Sequence, residues 1–213
     1  MDASRSPLSL TTRIEFSIAN VRQLNAWFVE LLMAPSGAGF PPATTLAQLP
    51  LSSGARRRLC EFPFLLSNLS FEDPAFWREC RVGALATETD GQPALFPVSA
   101  TIAFARSLSI VAWQMAHDPG SPRFLMGMTN SVATLIDGMT FKQLDWVVIH
   151  RGNSLRPRWS NVEGFWTRLL RSAQAADEQA WSDFQLHALR MLGRDLLIRD
   201  SHSDRSGRRP ASL

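Results

Sequence analysis

The side chains best suited to chemistry in this sequence are three closely spaced arginines, Arg151, Arg156 and Arg158. A guanidinium group binds phosphate through paired hydrogen bonds, so this cluster is typical of a loop that contacts a phosphate backbone. Lys142, the only lysine of the chain, lies shortly before them and adds a fourth positive charge. The alternative interpretation is that these are solvated surface charges without a partner.

Other reactive side chains do not complete a motif. His117-Asp118 resembles a metal-binding pair, but no further histidine or carboxylate cluster supplies four ligands. His187 follows Asp183 by one helical turn, which is typical of a surface contact. Neither a nucleophile arrangement nor a glycine-rich phosphate loop is found. The sequence therefore predicts a non-enzymatic protein without a cofactor or a metal.

Composition is compatible with a nucleic-acid partner without requiring one. The 213 residues are 45% hydrophobic, enough for a sizeable core, and the formal net charge is +3 with a pI near 9.6. Arginine supplies nearly all of the positive charge, which either a phosphate-binding surface or a genome rich in arginine codons would explain. Cys60 and Cys80 suggest reduced thiols rather than a zinc site or a disulfide framework.

Apolar runs in the sequence are too short for the roughly 20 residues of a membrane span. The first ten residues lack the basic and apolar regions of a secretory signal. We therefore expect a cytoplasmic protein with no membrane partner.

The elements that must position the arginines are predicted to be helices, which makes the fold class all-α, a multi-helix globular protein. Apolar residues recur every three or four positions, although Val98 to Phe104 alone could equally form a strand. Asp73-Pro74 is a helix start, and Ser160 with Glu163 has the spacing of a capping box. The predicted helices are 11–32, 45–49, 53–60, one beginning at 74, 98–116, 161–173 and 177–199.

Two short helices before the arginines form a helix-turn-helix-like unit. Thr129 or Asn130 caps the first, and Gly138 is placed to end it in a left-handed conformation. Thr140 and Gln143 form a capping box that fixes the start of the second helix. An apolar side of Phe141, Leu144, Val147 and Val148 would face the core, and the opposite side would face solvent. Such a second helix is often the one that contacts DNA, although many structural hairpins share this geometry.

A polar, turn-rich stretch at 87–93 is the predicted boundary between two regions of the chain. We predict an N-terminal helical region at 1–86, a C-terminal helical region at 94–200 that contains the helix-turn-helix-like segment, and a disordered tail at 201–213. A single intertwined unit is preferred over two separate domains.

The two regions share a weak internal similarity. Ala43 to Leu65 aligns with Ala133 to Leu155, and Phe76-Trp77-Arg78 is echoed by Phe165-Trp166-Thr167-Arg168 after a one-residue slip. A decayed duplication would produce this pattern. Chance similarity between two helical segments of the same apolar period is the simpler explanation at the level of sequence.

Residues 108–159 resemble the FlhD-type subunit of the bacterial flagellar master transcription regulator and related regulators on mobile elements. The match runs without a gap from Leu108 to Trp159 and covers about a quarter of the chain. The shared residues include Asp118, Phe124, Gly127, Met128, Val132, Ala133, Thr134, Thr140, Gln143 and Arg158.

This resemblance implies an all-helical, oligomeric, DNA-associated activator that works with a partner subunit, which contributes a zinc site and part of the promoter contact. The chain departs from the family at Leu155, where a cysteine stands in the family, so a disulfide between subunits is not supported. The first hundred residues have no counterpart in the family.

The working hypothesis is a DNA-associated transcriptional regulator subunit that acts as a homo-oligomer or beside a partner regulator subunit. Double-stranded DNA would be contacted through Lys142, Arg151, Arg156 and Arg158. The alternative is a non-enzymatic assembly or adaptor protein whose helices make protein contacts only.

Overall fold

The structure, a computed structural model, describes residues 10–34, 51–83, 95–118 and 120–207. Its described part consists of eight α-helices and two short strands, which confirms the predicted all-α fold class. The elements are α1 (Leu10–Met33), α2 (Ser53–Cys60), β1 (Ser67–Asn68), α3 (Pro74–Val82), α4 (Val98–His117), α5 (Asn130–Asp137), α6 (Phe141–Arg151), β2 (Arg156–Pro157), α7 (Phe165–Gln174) and α8 (Glu178–Gly207). The segment around 98–104 is helical rather than a strand.

Several helix ends follow directly from local sequence. Asp73 accepts hydrogen bonds from the N–H groups of Ala75 and Phe76, with Pro74 as the first residue of α3. The capping box predicted for α6 is present, because Thr140 and Gln143 satisfy each other's backbone N–H groups. These contacts lie within one turn, so sequence spacing is sufficient to predict them.

Two predicted helix ends are wrong. Gly138 ends α5 with a φ of −78°, outside the left-handed region, because the next residue tightens the turn by bonding Ile136. Ser160 and Glu163 do not cap α7, which begins only at Phe165 after Gly164, with a φ of 71°. The turn before α7 is held instead by a contact with α8, since the ring N–H of Trp159 donates to Asp195.

The internal similarity reappears as a pseudo-two-fold arrangement. Strands β1 and β2 pair antiparallel, with Ser67 opposite Pro157. When the internal alignment is extended past Leu65 and Leu155, Pro157 is the residue equivalent to Ser67. In an antiparallel pair that crosses a two-fold axis, the residue on the axis lies opposite its own equivalent, as Ser67 does here. After the one-residue slip in the alignment, Ser70 is equivalent to Trp159. Both residues have a positive φ, 54° and 53°. These correspondences support a duplication over chance similarity.

The two halves exchange their last helices. Helix α3 of the first half packs against α5 and α6 of the second, and α7 of the second half packs against α2 of the first. Helices α1 and α4 pack against each other between them. One continuous apolar core, which includes Phe28, Trp77, Phe104 and Trp166, spans both halves. This exchange agrees with the preference for one intertwined unit, whereas the predicted boundary at 87–93 lies outside the described residues.

Helix α8 follows the second half and lies across the molecule. It packs against α7 and reaches α5, where the side chain of Asp200 accepts hydrogen bonds from the N–H and the Nδ2 of Asn130. The helix continues to Gly207, beyond the predicted end at Arg199, so the predicted tail is helical in its first part. No proline lies between Pro157 and Pro210, so none interrupts α8. Among the described residues, none of the helices has both the length and the apolar character of a membrane span.

Candidate nucleic-acid interface

Lys142 is the predicted site residue that the structure leaves open to solvent. It lies in the first turn of α6, with its side chain exposed. Its neighbour Gln143 is already engaged, since its Nε2 donates to the Arg81 carbonyl oxygen at 2.8 Å and its Oε1 accepts from the Thr140 N–H at 2.8 Å. Gln143 therefore holds α6 against the end of α3.

Arg151 lies inside the protein rather than on its surface. Only 3% of this residue is exposed, and its Nη2 donates to Glu79 Oε2 at 2.8 Å. The guanidinium carbon also lies 5.3 Å from the centre of the Phe76 ring. Both partners belong to α3, so Arg151 joins the two halves of the fold, and the DNA contact predicted for it is wrong.

Arg158 is also buried, with 5% of the residue exposed. Its Nε donates to the Leu65 carbonyl oxygen at 2.8 Å, and its Nη2 donates to those of Met126 and Ser67 at 2.7 and 3.3 Å. Burial lowers the pKa of the Arg158 guanidinium, and the positive charge of Arg199 adds to this shift, while two carboxylates oppose it. The predicted DNA contact is wrong here as well, because the guanidinium holds the loops around the strand pair together.

Arg156 is half-buried at the strand pair. Its Nη1 donates to the carbonyl oxygens of Leu155, at 2.8 Å, and Asn153. Burial lowers the pKa of this guanidinium. The four predicted residues therefore do not form a shared basic surface, since two are buried and Arg156 faces its own loop.

The outer side of α6 carries exposed apolar side chains as well as Lys142. Phe141 was predicted to face the core but is 66% exposed, and Ile149 is 53% exposed. Phe141 packs against the half-buried Trp113 of α4, with ring centres 5.0 Å apart. Asp145 on the same helix is paired with Arg106 at 2.8 Å. We call Ile110, Trp113, Phe141 and Ile149 the aromatic face.

A concentration of exposed arginines lies on α2 and α7, which pack against each other. Arg56 and Arg57 of α2 and Arg168 and Arg171 of α7 are exposed, and neither helix contains an acidic residue. We call these four residues the basic surface.

Arg58, the third arginine of α2, fixes the two helices together. Its Nη1 donates to the carbonyl oxygen of Ala173 at 3.2 Å, at the end of α7, and its Nη2 pairs with Glu178 of α8. The arginine run at 56–58 is visible in the sequence. The arginines of α7, however, join it only because the halves exchange helices.

The described part of the chain holds no group of three or more histidine, cysteine, aspartate or glutamate residues placed to bind a metal ion. No family model matches the chain, and comparisons with curated proteins and with solved structures find no match. The function of the chain must therefore be argued from its own geometry.

Proposed function

We propose that this chain is a DNA-associated subunit of a transcription regulator and that it contacts the phosphate backbone through the basic surface. The observation that carries the proposal is the set of exposed arginines on two packed helices without an acidic residue. Guanidinium groups arranged in this way neutralise phosphates and release counterions, which is the main source of sequence-independent affinity for DNA.

The pseudo-two-fold arrangement adds a second argument. Helix α6, the second helix of the helix-turn-helix-like unit, corresponds in the duplicated alignment to α2, which carries Arg56 and Arg57. Dimeric helix-turn-helix proteins present two equivalent helices to two half-sites on a duplex. Here one chain would supply both helices, with Lys142 on one and the arginines on the other.

The proposal is tested by the salt dependence of binding to a mixed-sequence duplex. The wild-type affinity should fall steeply as salt rises, with a slope of roughly 0.9 per phosphate contact in a plot of log K against log salt. Replacing Arg56, Arg57, Arg168 and Arg171 by alanine should weaken binding and flatten that slope. Because all four side chains are exposed, the fold should be retained, which circular dichroism checks.

The matched control removes two exposed arginines of α8, with Arg190→Ala and Arg194→Ala, and is compared with the pair Arg56→Ala and Arg57→Ala. Both double variants change the net charge equally. Equal losses in the two would show a general charge effect and contradict the assigned surface. Unmeasurable binding by the wild type at low salt would contradict DNA association by this chain alone.

The aromatic face favours a second candidate, an assembly protein that contacts a second copy of this chain. Exposed aromatic and aliphatic side chains at a helix pair are typical of protein interfaces. Analytical ultracentrifugation should then show a wild-type dimer that persists at high salt and dissociates in Phe141→Ala and Ile149→Ala. A monomeric wild type would rule out this candidate.

A further inference from the structure

A polar cavity of about 440 Å³ lies beside the strand pair and is covered on one side by α8. Its walls come from β2, from the turn that follows it, from the loop after β1 and from the second half of α8. The charged residues in the wall are Glu72, Arg156, Arg158, Asp195 and Arg199. None of the residues of the basic surface or the aromatic face lines it.

The buried guanidinium of Arg158 forms part of this wall without a carboxylate partner. Its hydrogen bonds go to backbone carbonyl oxygens, and no salt bridge involves it in the described part of the chain. Its remaining nitrogen, Nη1, lies against Gly127, another residue of the cavity wall, and donates to no acceptor among the described residues. Glu72 and Asp195 offset this buried charge only from a distance, without a hydrogen bond to the guanidinium, so burying it remains costly.

The two acidic side chains of the cavity do not fully balance its three arginines. Glu72 Oε1 accepts a hydrogen bond from Asn68 at 2.9 Å, and Asp195 Oδ2 accepts one from the ring N–H of Trp159 at 2.7 Å. Among the described residues, neither carboxylate lies within ion-pair distance of Arg158 or Arg199. The described wall therefore carries one more positive than negative side chain and has free donor capacity at Arg158, although Glu72 Oε2 is also buried without a hydrogen-bond partner.

We propose that this cavity binds a small organic anion, with its carboxylate or phosphate group at Arg158 and Arg199. The volume falls within the range of about 300–1,000 Å³ that is common for small-molecule sites, and a duplex would not enter it. Guanidinium groups are the side chains best matched to such anions, because two N–H groups bind two oxygens in parallel. The proposal is independent of DNA binding, since the two sites share no residue.

Isothermal titration calorimetry with citrate and with inorganic phosphate tests the proposal, with ionic strength held constant by sodium chloride. Wild-type protein should bind at least one of the two anions in a saturable manner with one site per chain. Arg199→Ala should weaken that binding about tenfold, as expected for the loss of one charge-assisted hydrogen bond. Arg199 is exposed on α8, so its replacement should leave the fold intact.

Arg194→Ala is the matched control, because Arg194 is exposed on the same helix but does not line the cavity. Arg156→Gln provides a second cavity variant that keeps hydrogen-bonding capacity and removes the charge, and it should also weaken binding. Absence of saturable binding for both anions overturns the proposal. Equal affinities in the wild type and in Arg199→Ala also overturn it, because the anion would then bind elsewhere.

Discussion

Replacing Gly127 by alanine should destabilise the protein through Arg158. Gly127 has a φ of 64°, and a Cβ built on it would lie 2.1 Å from Nη1 and 2.6 Å from Cζ of Arg158. Two atoms cannot approach this closely, so the guanidinium must move and give up hydrogen bonds to buried carbonyl oxygens. The backbone conformation itself costs an alanine about 1–2 kcal/mol.

The magnitude follows from the bonds that are lost. A hydrogen bond from a charged group contributes roughly 1.5–3 kcal/mol, and the displaced guanidinium would regain part of this by reaching water. Together with the backbone strain, we expect Gly127→Ala to lower the free energy of unfolding by about 4 kcal/mol. This is a large part of the roughly 5–15 kcal/mol that stabilises a typical domain.

A double-mutant cycle isolates the contact with Arg158. In an Arg158→Met background the clash is removed, so Gly127→Ala should cost only the backbone strain of about 1–2 kcal/mol. Urea denaturation followed by circular dichroism gives all four free energies of unfolding. If Gly127→Ala costs the same in both backgrounds, then Arg158 is not held against Gly127 and the described role of its guanidinium is wrong.

Two further predictions concern single side chains. Thr140→Ala should lower the free energy of unfolding by about 1 kcal/mol through loss of the capping box. The control, Thr134→Ala in the exposed middle of α5, should change it little. Equal urea midpoints for the two variants would contradict the role of the cap. Burial, followed by the negative charges of Glu30 and Glu61, raises the pKa of the Cys60 thiol, so less of it is reactive thiolate at mildly alkaline pH. Cys60 should therefore react with a thiol reagent more slowly in folded protein than in urea-unfolded protein. Equal rates in the two states would contradict this shift.

The fold class and many helix positions could be predicted because their causes are local. Helix α2 has the predicted bounds, and the starts of α3 and α6 are capped by the predicted side chains, Asp73 and Thr140. In each case the apolar period and the cap lie within a few residues of each other. The start before Phe165 is wrong because the preceding turn is held by a contact with a distant residue, Trp159 with Asp195. The end at Gly138 is wrong because a local hydrogen bond from the Met139 N–H to the Ile136 carbonyl oxygen tightens the turn.

The candidate interface was far less predictable. The sequence shows that Arg151 and Arg158 are close to Lys142 along the chain, but it does not show which side chains the exchanged helices enclose. Arg151 is buried because α3 supplies Glu79 and Phe76, and Arg158 because β1, the residues just before it and the loop at Met126 place three carbonyl oxygens around it. The arginines of α7 reach α2 by the same exchange.

Apolar periodicity and short-range hydrogen bonds specify the helices and their main capping residues, and composition specifies the arginine-rich positive charge, so all three can be read without the tertiary structure. The tertiary structure alone decided which arginines stay in water. Burial depends on packing between residues far apart in the chain, 72 positions for Arg151 and Glu79 and 93 for Arg158 and Leu65, which the exchange of α3 and the strand pair bring together. The exchange made Arg151 an internal support and brought the arginines of α7 to α2, whereas Arg158 is enclosed at the strand pair and Lys142 stays exposed.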